Sequence, residues 1–323
     1  MSYLASRIIR SSHKFLINKN VAQLVQVQKM FFASNQDKYK SAFEFLKEEM
    51  EKSKSSQTTI QYEPSIPQEE LSTMNNLRKS IQQDIDLGRF QKALENSLQY
   101  VEKVKKHYGV NHPATFSAIN NLALVFKITG DLESAQALYE KVLEGYSNMF
   151  GRDHPSTLVV IQNLANLYKQ QKMYDKSLYL FEEVLAYKDQ QSDVDKGEIA
   201  LCMSQMAACL RELKKYDDSI VVLEKALNIL IERYGEVNTL TATCQNSLGL
   251  TYKKAGKYNK SEEMYLKSLK TREELLPADH PHIIASKHNL GELYIELNQT
   301  EKAQEYFIDA MESIKRMEES NQN

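Results

Sequence analysis

Seven histidines and three cysteines are the most chemically versatile residues of this 323-residue chain, and their spacing limits what they can do. The densest group is His280-Pro281-His282, with His288 close behind. Imidazoles gathered in this way bind zinc when three or four donors converge. Yet His280 opens a His-Pro turn as His112 and His154 do, and those two have no companion histidine. A turn role accounts for all three, so neither a metal nor any other cofactor is expected. Cys202 and Cys209 lie two helical turns apart, roughly 10 Å by helical rise, beyond disulfide reach. With Cys244 they are expected to be buried thiols, and so small and odd a count fits a reducing compartment. Acid pairs such as Glu182-Glu183 and Glu262-Glu263 stand among lysines, as solvated helix faces do. The chain has no Cys-x-x-Cys, glycine-rich phosphate loop, Gly-x-Ser-x-Gly or His-Glu-x-x-His. Catalysis is therefore not expected, and attention passes to what the chain could bind.

The elements that would position a binding surface are set by a repeat. Leu122, Leu164, Met206, Leu248 and Leu290 each stand 42 residues after the one before, without a slip. Counting Leu122 as unit position 7, position 8 is small in every copy (Ala123, Ala165, Ala207, Gly249, Gly291), and so is position 20 (Ala135, Ser177, Ser219, Ser261, Ala303). Large apolar residues recur at position 11 (Phe126, Tyr168, Leu210, Tyr252, Tyr294) and position 24 (Tyr139, Phe181, Leu223, Tyr265, Phe307), at helical spacing from the small ones. Short polar turns such as Thr129-Gly130-Asp131 and Ala255-Gly256-Lys257 separate the two runs. Each unit therefore reads as helix A, turn, helix B, with the helices crossing closely where the residues are small. No such hairpin can bury its apolar stripe alone, so neighbours must stack.

Small residues at 8 and 20, aromatic residues at 11, 17 and 24 and a turn near 15 resemble the tetratricopeptide repeat. The 42-residue length, the His-Pro start and Leu-Ala-x-x-Tyr in helix A look like the long-helix version found in kinesin light chains. The resemblance implies an all-α fold, a TPR-type α-solenoid of helix-turn-helix repeats wound into a right-handed superhelix. It covers residues 69–315: a degenerate unit at 69–111, then units at 112–153, 154–195, 196–237, 238–279 and 280–315. The degenerate unit has Ser80 and Asp84 where positions 7 and 11 are apolar elsewhere, as an end cap facing water would. Tyr108-Gly109, Phe150-Gly151 and Tyr234-Gly235 mark helix B ends, with glycine suited to a left-handed closing residue. The connection at 189–196 breaks this pattern, and stacking of the fourth unit on the third is correspondingly less well specified. Residues 316–323 are expected to form a frayed tail.

In the resembled family, positions 2, 5, 9 and 12 of helix A line a concave groove, and such spacings do share one helical face. The resemblance therefore implies a peptide-binding set: Asn120, Gln162, Ser204 and Asn246 at position 5, Asn166 at position 9, and Lys127, Lys169, Arg211 and Lys253 at position 12. Amides offer paired donors and acceptors to an extended backbone, and cations suit carboxylates. The basic stripe stops at the last unit, where Ile295 holds position 12 and Glu292 and Glu296 project instead.

The ends differ in kind from the repeats. Residues 1–36 hold Arg7, Arg10, Lys14, Lys19 and Lys29 and no acid, a charge of +5, which leaves −7 for the remainder of a chain whose net charge is −2. With Leu4, Ile8, Ile9, Phe15 and Leu16, residues 1–33 resemble a mitochondrial presequence, and Lys29-Met30-Phe31-Phe32-Ala33-Ser34 looks like a matrix-protease site. Residues 37–54 carry Tyr39, Ala42, Phe43, Leu46 and Met50 at spacings of three and four, predicting an amphipathic helix that either caps the solenoid or binds a partner. A polar linker at 55–68 follows. An acidic body has no general affinity for nucleic acid, and no run of 18 apolar residues is present to span a membrane. The expectation is a mitochondrial scaffold that binds an extended, acidic segment of another protein, as an assembly factor or accessory subunit of a large complex, with no oligomeric state specified. The alternative is a cytoplasmic cargo adaptor of the kinesin light chain type, for which residues 37–54 offer barely two heptads.

Overall fold

The computed structural model describes residues 66–189 and 195–320, together with the helical Glu48. The expected presequence at 1–33, the helix at 37–54 apart from Glu48, and most of the linker at 55–68 lie outside the described residues, as does the greater part of the connection at 189–196. The described residues form twelve α-helices and no strand: α1 (Gln68–Asp86), α2 (Phe90–Tyr108), α3 (Pro113–Thr129), α4 (Leu132–Phe150), α5 (Pro155–Gln170), α6 (Tyr174–Asp189), α7 (Lys196–Glu212), α8 (Tyr216–Tyr234), α9 (Thr239–Lys254), α10 (Tyr258–Leu275), α11 (Pro281–Glu296) and α12 (Thr300–Ser320). Odd-numbered helices are the A helices and even-numbered ones the B helices of an all-α repeat solenoid. The chain divides into two compact units, one running through Lys172 and the other beginning at Met173.

The turn between helices A and B uses one backbone device throughout. Position 15 has positive φ in all six hairpins: Gly88, Gly130 and Gly256 at 68°, 92° and 74°, and Lys172, Lys214 and Asn298 at 62°, 62° and 58°. Glycine accepts this conformation without a Cβ penalty, and the lysines adopt it because the helices on either side fix the turn. The helix B ends use another. Gly109, Gly151 and Gly235 combine φ of 86°, 89° and 84° with ψ of 165°, 167° and 173°. That is an extended conformation at positive φ, open essentially to glycine alone, rather than the left-handed helical residue expected from the sequence. It aims each glycine carbonyl at the next A helix, where the hydroxyls of Thr115, Thr157 and Thr241 donate to it at 2.6, 2.8 and 2.9 Å.

The His-Pro phrase is a helix start. Nδ1 of His112, His154 and His280 accepts from the backbone N–H two residues on, at 3.1, 3.2 and 3.1 Å, while proline fills the first helical position. His112 and His154 also stack on the aromatic residue ending the preceding B helix, Tyr108 and Phe150. The irregular fourth unit substitutes Asp195, which accepts from Gly197 N at 2.9 Å and from the Tyr234 hydroxyl at 3.3 Å. Its stacking is intact: Ser177 of α6 lies 3.2 Å from Cys209 of α7, and Lys188 pairs with Glu198 at 2.7 Å.

Packing explains the small positions. Ala123, Ala165, Ala207, Ala135 and Ala303 are wholly buried, and a Cβ on Gly249 or Gly291 would fall 2.7 Å from the Tyr265 ring or 2.6 Å from the Phe307 ring. Serines at position 20 satisfy themselves by donating to the position 8 carbonyl, Ser219 to Ala207 and Ser261 to Gly249, both at 2.8 Å. Position 11 tyrosines reach across to the preceding B helix: Tyr168, Tyr252 and Tyr294 donate to Glu140, Glu224 and Glu262 at 3.2, 2.5 and 2.6 Å. Glu262, which the sequence suggested was merely solvated, is thus a specific acceptor. At the N-terminal end, Asp84 is buried where other units have a large apolar residue, with Asn96 donating to it at 3.0 Å and the Lys92 ammonium 4.0 Å away as an ion pair.

One expected boundary is corrected. The tail at 316–323 does not fray at once, because α12 runs on to Ser320. Arg316 secures that turn by donating to Asp279 at 2.8 Å and to Ser313 at 2.9 Å.

Candidate functional site

The amide and cation positions read from the sequence lie where consecutive A helices meet. In the unit ending at Lys172, Asn163 Nδ2 on α5 donates to Asn120 Oδ1 on α3 at 3.1 Å. In the other unit, Asn289 Nδ2 on α11 donates to Asn246 Oδ1 on α9 at 3.0 Å. These two bonds, each spanning 43 residues, tie position 5 of one repeat to position 6 of the next. Position 6 (Asn121, Asn163, Gln205, Ser247, Asn289) carries no large apolar residue, and that amide content was the signal available in the sequence for this ladder.

The remaining groups are used very differently in the two units. Beside the first amide bond, the Gln162 side chain forms no hydrogen bond among the described residues, and Asn166 donates through Nδ2 to Gln162 O at 3.0 Å, leaving its own carbonyl oxygen directed elsewhere. Lys127 on α3 is half-buried and has no carboxylate partner among the described residues. Burial, and then the positive charge of Lys169 on α5, hold its ammonium below the usual lysine range. Val159, on the same face of α5, is an exposed apolar side chain at 53 %.

In the unit beginning at Met173 the corresponding groups are engaged. Lys253 Nζ lies 2.7 Å from Glu292 Oε2 on the next A helix, with its side chain only 9 % exposed. Arg211 donates to Thr251 Oγ1 at 3.4 Å and lies 3.8 Å from Glu212, and burial pushes its guanidinium pKa down. Ser204 donates to its own helix at Ala200 O, 2.9 Å away. His288, packed edge-on against Phe307, is held below the ordinary histidine range first by burial. The cations of the stripe are thus held differently, Lys127 half-buried near the positive charge of Lys169 in one unit, and a neutralised Lys253 with a largely buried Arg211 in the other.

Among the described residues no group of three or more His, Cys, Asp or Glu converges as metal ligands. All three cysteines are buried thiols, and burial raises Cys202 to about 12 and Cys244 to about 11. No described helix is long and apolar enough to cross a membrane.

The helical hairpins, their 42-residue register and the A-helix seam define a repeat protein built to present a surface, and the family profile described as tetratricopeptide repeat matches residues 73–148, 116–190, 198–274 and 248–316. The chain belongs to the tetratricopeptide repeat family. No curated protein matches it. Among solved structures it is similar to BtubC (BKLC) of P. vanneervenii, at 19 % identity and TM-score 0.57, covering 75 % of this chain and 92 % of that one. It is also similar to kinesin-light-chain TPR-like repeats of Podosopora anserina, at 19 % identity and TM-score 0.54, covering 65 % and 98 %. Pseudomonas aeruginosa PilF is a third, at 14 % identity and TM-score 0.51, covering 74 % and 90 %. At these identities the likeness concerns the fold.

Proposed function

We propose that this chain is a non-catalytic scaffold whose A-helix face receives an extended, acidic segment of another protein, and that it serves in mitochondria as an assembly factor or accessory subunit of a large complex. The observation that carries the binding reading is the set of unspent polar groups between α3 and α5: the Gln162 amide, the Asn166 carbonyl and the Lys127 ammonium. Such groups are ready to bond an extended backbone and a carboxylate. TPR proteins bind protein partners, and this surface has the chemistry for it.

The mitochondrial part rests on the sequence of residues 1–36, acid-free and carrying +5. That plan, a basic amphipathic start followed by light-chain-like repeats, resembles tetratricopeptide repeat protein 19, which assists respiratory complex III and gives the proposal its direction. The structural likeness to kinesin-light-chain repeats concerns the fold and favours neither this reading nor a cytoplasmic cargo adaptor. Affinity purification of the endogenous protein, with N-terminal sequencing and identification of co-purifying chains, tests both parts. The expected result is a mature N-terminus near Phe31–Ser34 and subunits of one mitochondrial complex. An intact Met1 on a cytosolic protein that co-purifies with motor chains would establish the adaptor instead.

A further inference from the structure

Apart from the A-helix face, the last B helix carries a second surface, and we propose that the outward stripe of α12 is the docking site for a helix of another protein that presents apolar residues flanked by lysine or arginine. Positions 21 and 25 of a B helix seat the A helix that follows. Gln171 donates to Gln136 at 3.0 Å, and Tyr168, Tyr252 and Tyr294 donate to Glu140, Glu224 and Glu262. Position 28, nearly one turn further on, is covered with them in the preceding unit, where Leu269 is only 6 % exposed. The same positions of α12 are Gln304, Ile308 and Met311, and no described element covers them: Ile308 is 57 % and Met311 51 % exposed. A repeat that faces water needs a polar outer face. Here the exchange runs the other way, with Ile308 at the position where three earlier units have Glu140, Glu182 and Glu224.

The charges around the apolar pair decide what kind of helix fits. Glu301, Gln304, Ile308, Met311 and Lys315 succeed one another at spacings of three and four, so they share one face, and Glu305 and Glu312 flank it. The cations of α12 are engaged: Lys302 lies over the Tyr294 ring at 5.1 Å, Arg316 pairs with Asp279 at 2.8 Å, and Lys315 lies 3.8 Å from Glu319. Glu301, Glu305 and Glu312 are exposed and form no ion pair among the described residues. Covering Ile308 and Met311 drives association, while carboxylates on the border favour a cationic rim and oppose an acidic one. The same charges oppose a second copy of this helix, because turning the stripe over on itself about Ile308 sets Glu305 against Glu312 of the other copy. The ligand helix therefore carries two apolar residues three or four positions apart, as an A helix does, with Lys or Arg beside them.

The test is selection by the full chain from a phage-displayed library of stable single helices randomised on one face. Pre-clearing on the Ile308→Gln, Met311→Gln double variant, confirmed folded by circular dichroism, removes helices that bind elsewhere. The survivors are expected to combine apolar residues at that spacing with flanking Lys or Arg. Synthesised and titrated by fluorescence anisotropy, they should bind the double variant about tenfold or more weakly per lost side chain. Glu301→Gln, Glu305→Gln and Glu312→Gln together should weaken them roughly two- to fivefold per carboxylate and remove most of the salt dependence. No survivor from the folded wild type, survivors without basic residues, or binding indifferent to the triple carboxylate variant overturns the proposal. A dimer in sedimentation velocity that the double variant abolishes would assign the stripe to a second copy and overturn it as well. None of these results depends on Gln162, Asn166 or Lys127, so the A-helix reading stands or falls separately.

Discussion

Lys253 and Glu292, on consecutive A helices, meet at 2.7 Å with the lysine side chain almost wholly covered, so an acid of the last repeat neutralises the last cation of the stripe. Glu292→Gln leaves that covered ammonium without its counter-charge. The expected cost is about 1–3 kcal/mol in denaturant unfolding. Lys253→Met added to Glu292→Gln should recover most of it, because the loss comes from the uncompensated charge rather than from the missing bond. A double-variant cycle with no coupling would show that the pair contributes nothing.

Lys214, at φ of 62° in a turn where other units have glycine, is a place to gain stability. Lys214→Gly removes the steric penalty of the left-handed conformation, about 1 kcal/mol, with a smaller opposing entropy term from the unfolded chain. The thermal midpoint should rise. Gly130→Lys, the reverse exchange at φ of 92°, should lower it.

Gly249 and Gly291 probe the opposite limit. An added methyl would lie 2.7 Å from the Tyr265 ring or 2.6 Å from the Phe307 ring, so Gly249→Ala and Gly291→Ala should each cost about 1–3 kcal/mol by forcing the rings off their rotamers. Hydrogen exchange should show loss of protection spreading into the adjoining hairpin, since repeats derive stability from their neighbours. Loss confined to one helix would contradict that coupling.

The thiols report on pH. Burial raises Cys202 to about 12 and Cys244 to about 11, above the unfolded cysteine range near 9. A raised acid binds more protons in the folded state, so its stabilising contribution is complete below about pH 8.5 and is lost as pH rises through 11 to 12. Native protein at pH 8 should therefore resist alkylation until it unfolds, and denaturant midpoints should fall above about pH 9. Rapid labelling of Cys202 in the native state would show that it is not buried as described.

The linear pattern was enough to establish the repeat, because a packing contact recurring every 42 residues imposes the same small and large residues at the same places whatever surrounds them. His-Pro at the A-helix start and glycine at the B-helix end were legible for the same local reason: caps and positive-φ turns are settled within a few residues. Helix continuation past Arg316 was not, since it depends on Asp279, which lies 37 residues earlier in the chain. The site divides along the same line. Periodicity placed Asn120, Lys127, Lys169 and Lys253 on one face, but which of them are engaged within the fold depends on partners on the neighbouring A helix. Asn163 occupies Asn120 Oδ1, Glu292 occupies Lys253, and Lys127 is half-buried where burial, and then the charge of Lys169, hold its ammonium below the usual lysine range. A sequence period specifies which face a side chain shares; only packing of one repeat on the next determines whether its charge is spent within the fold or kept for a ligand.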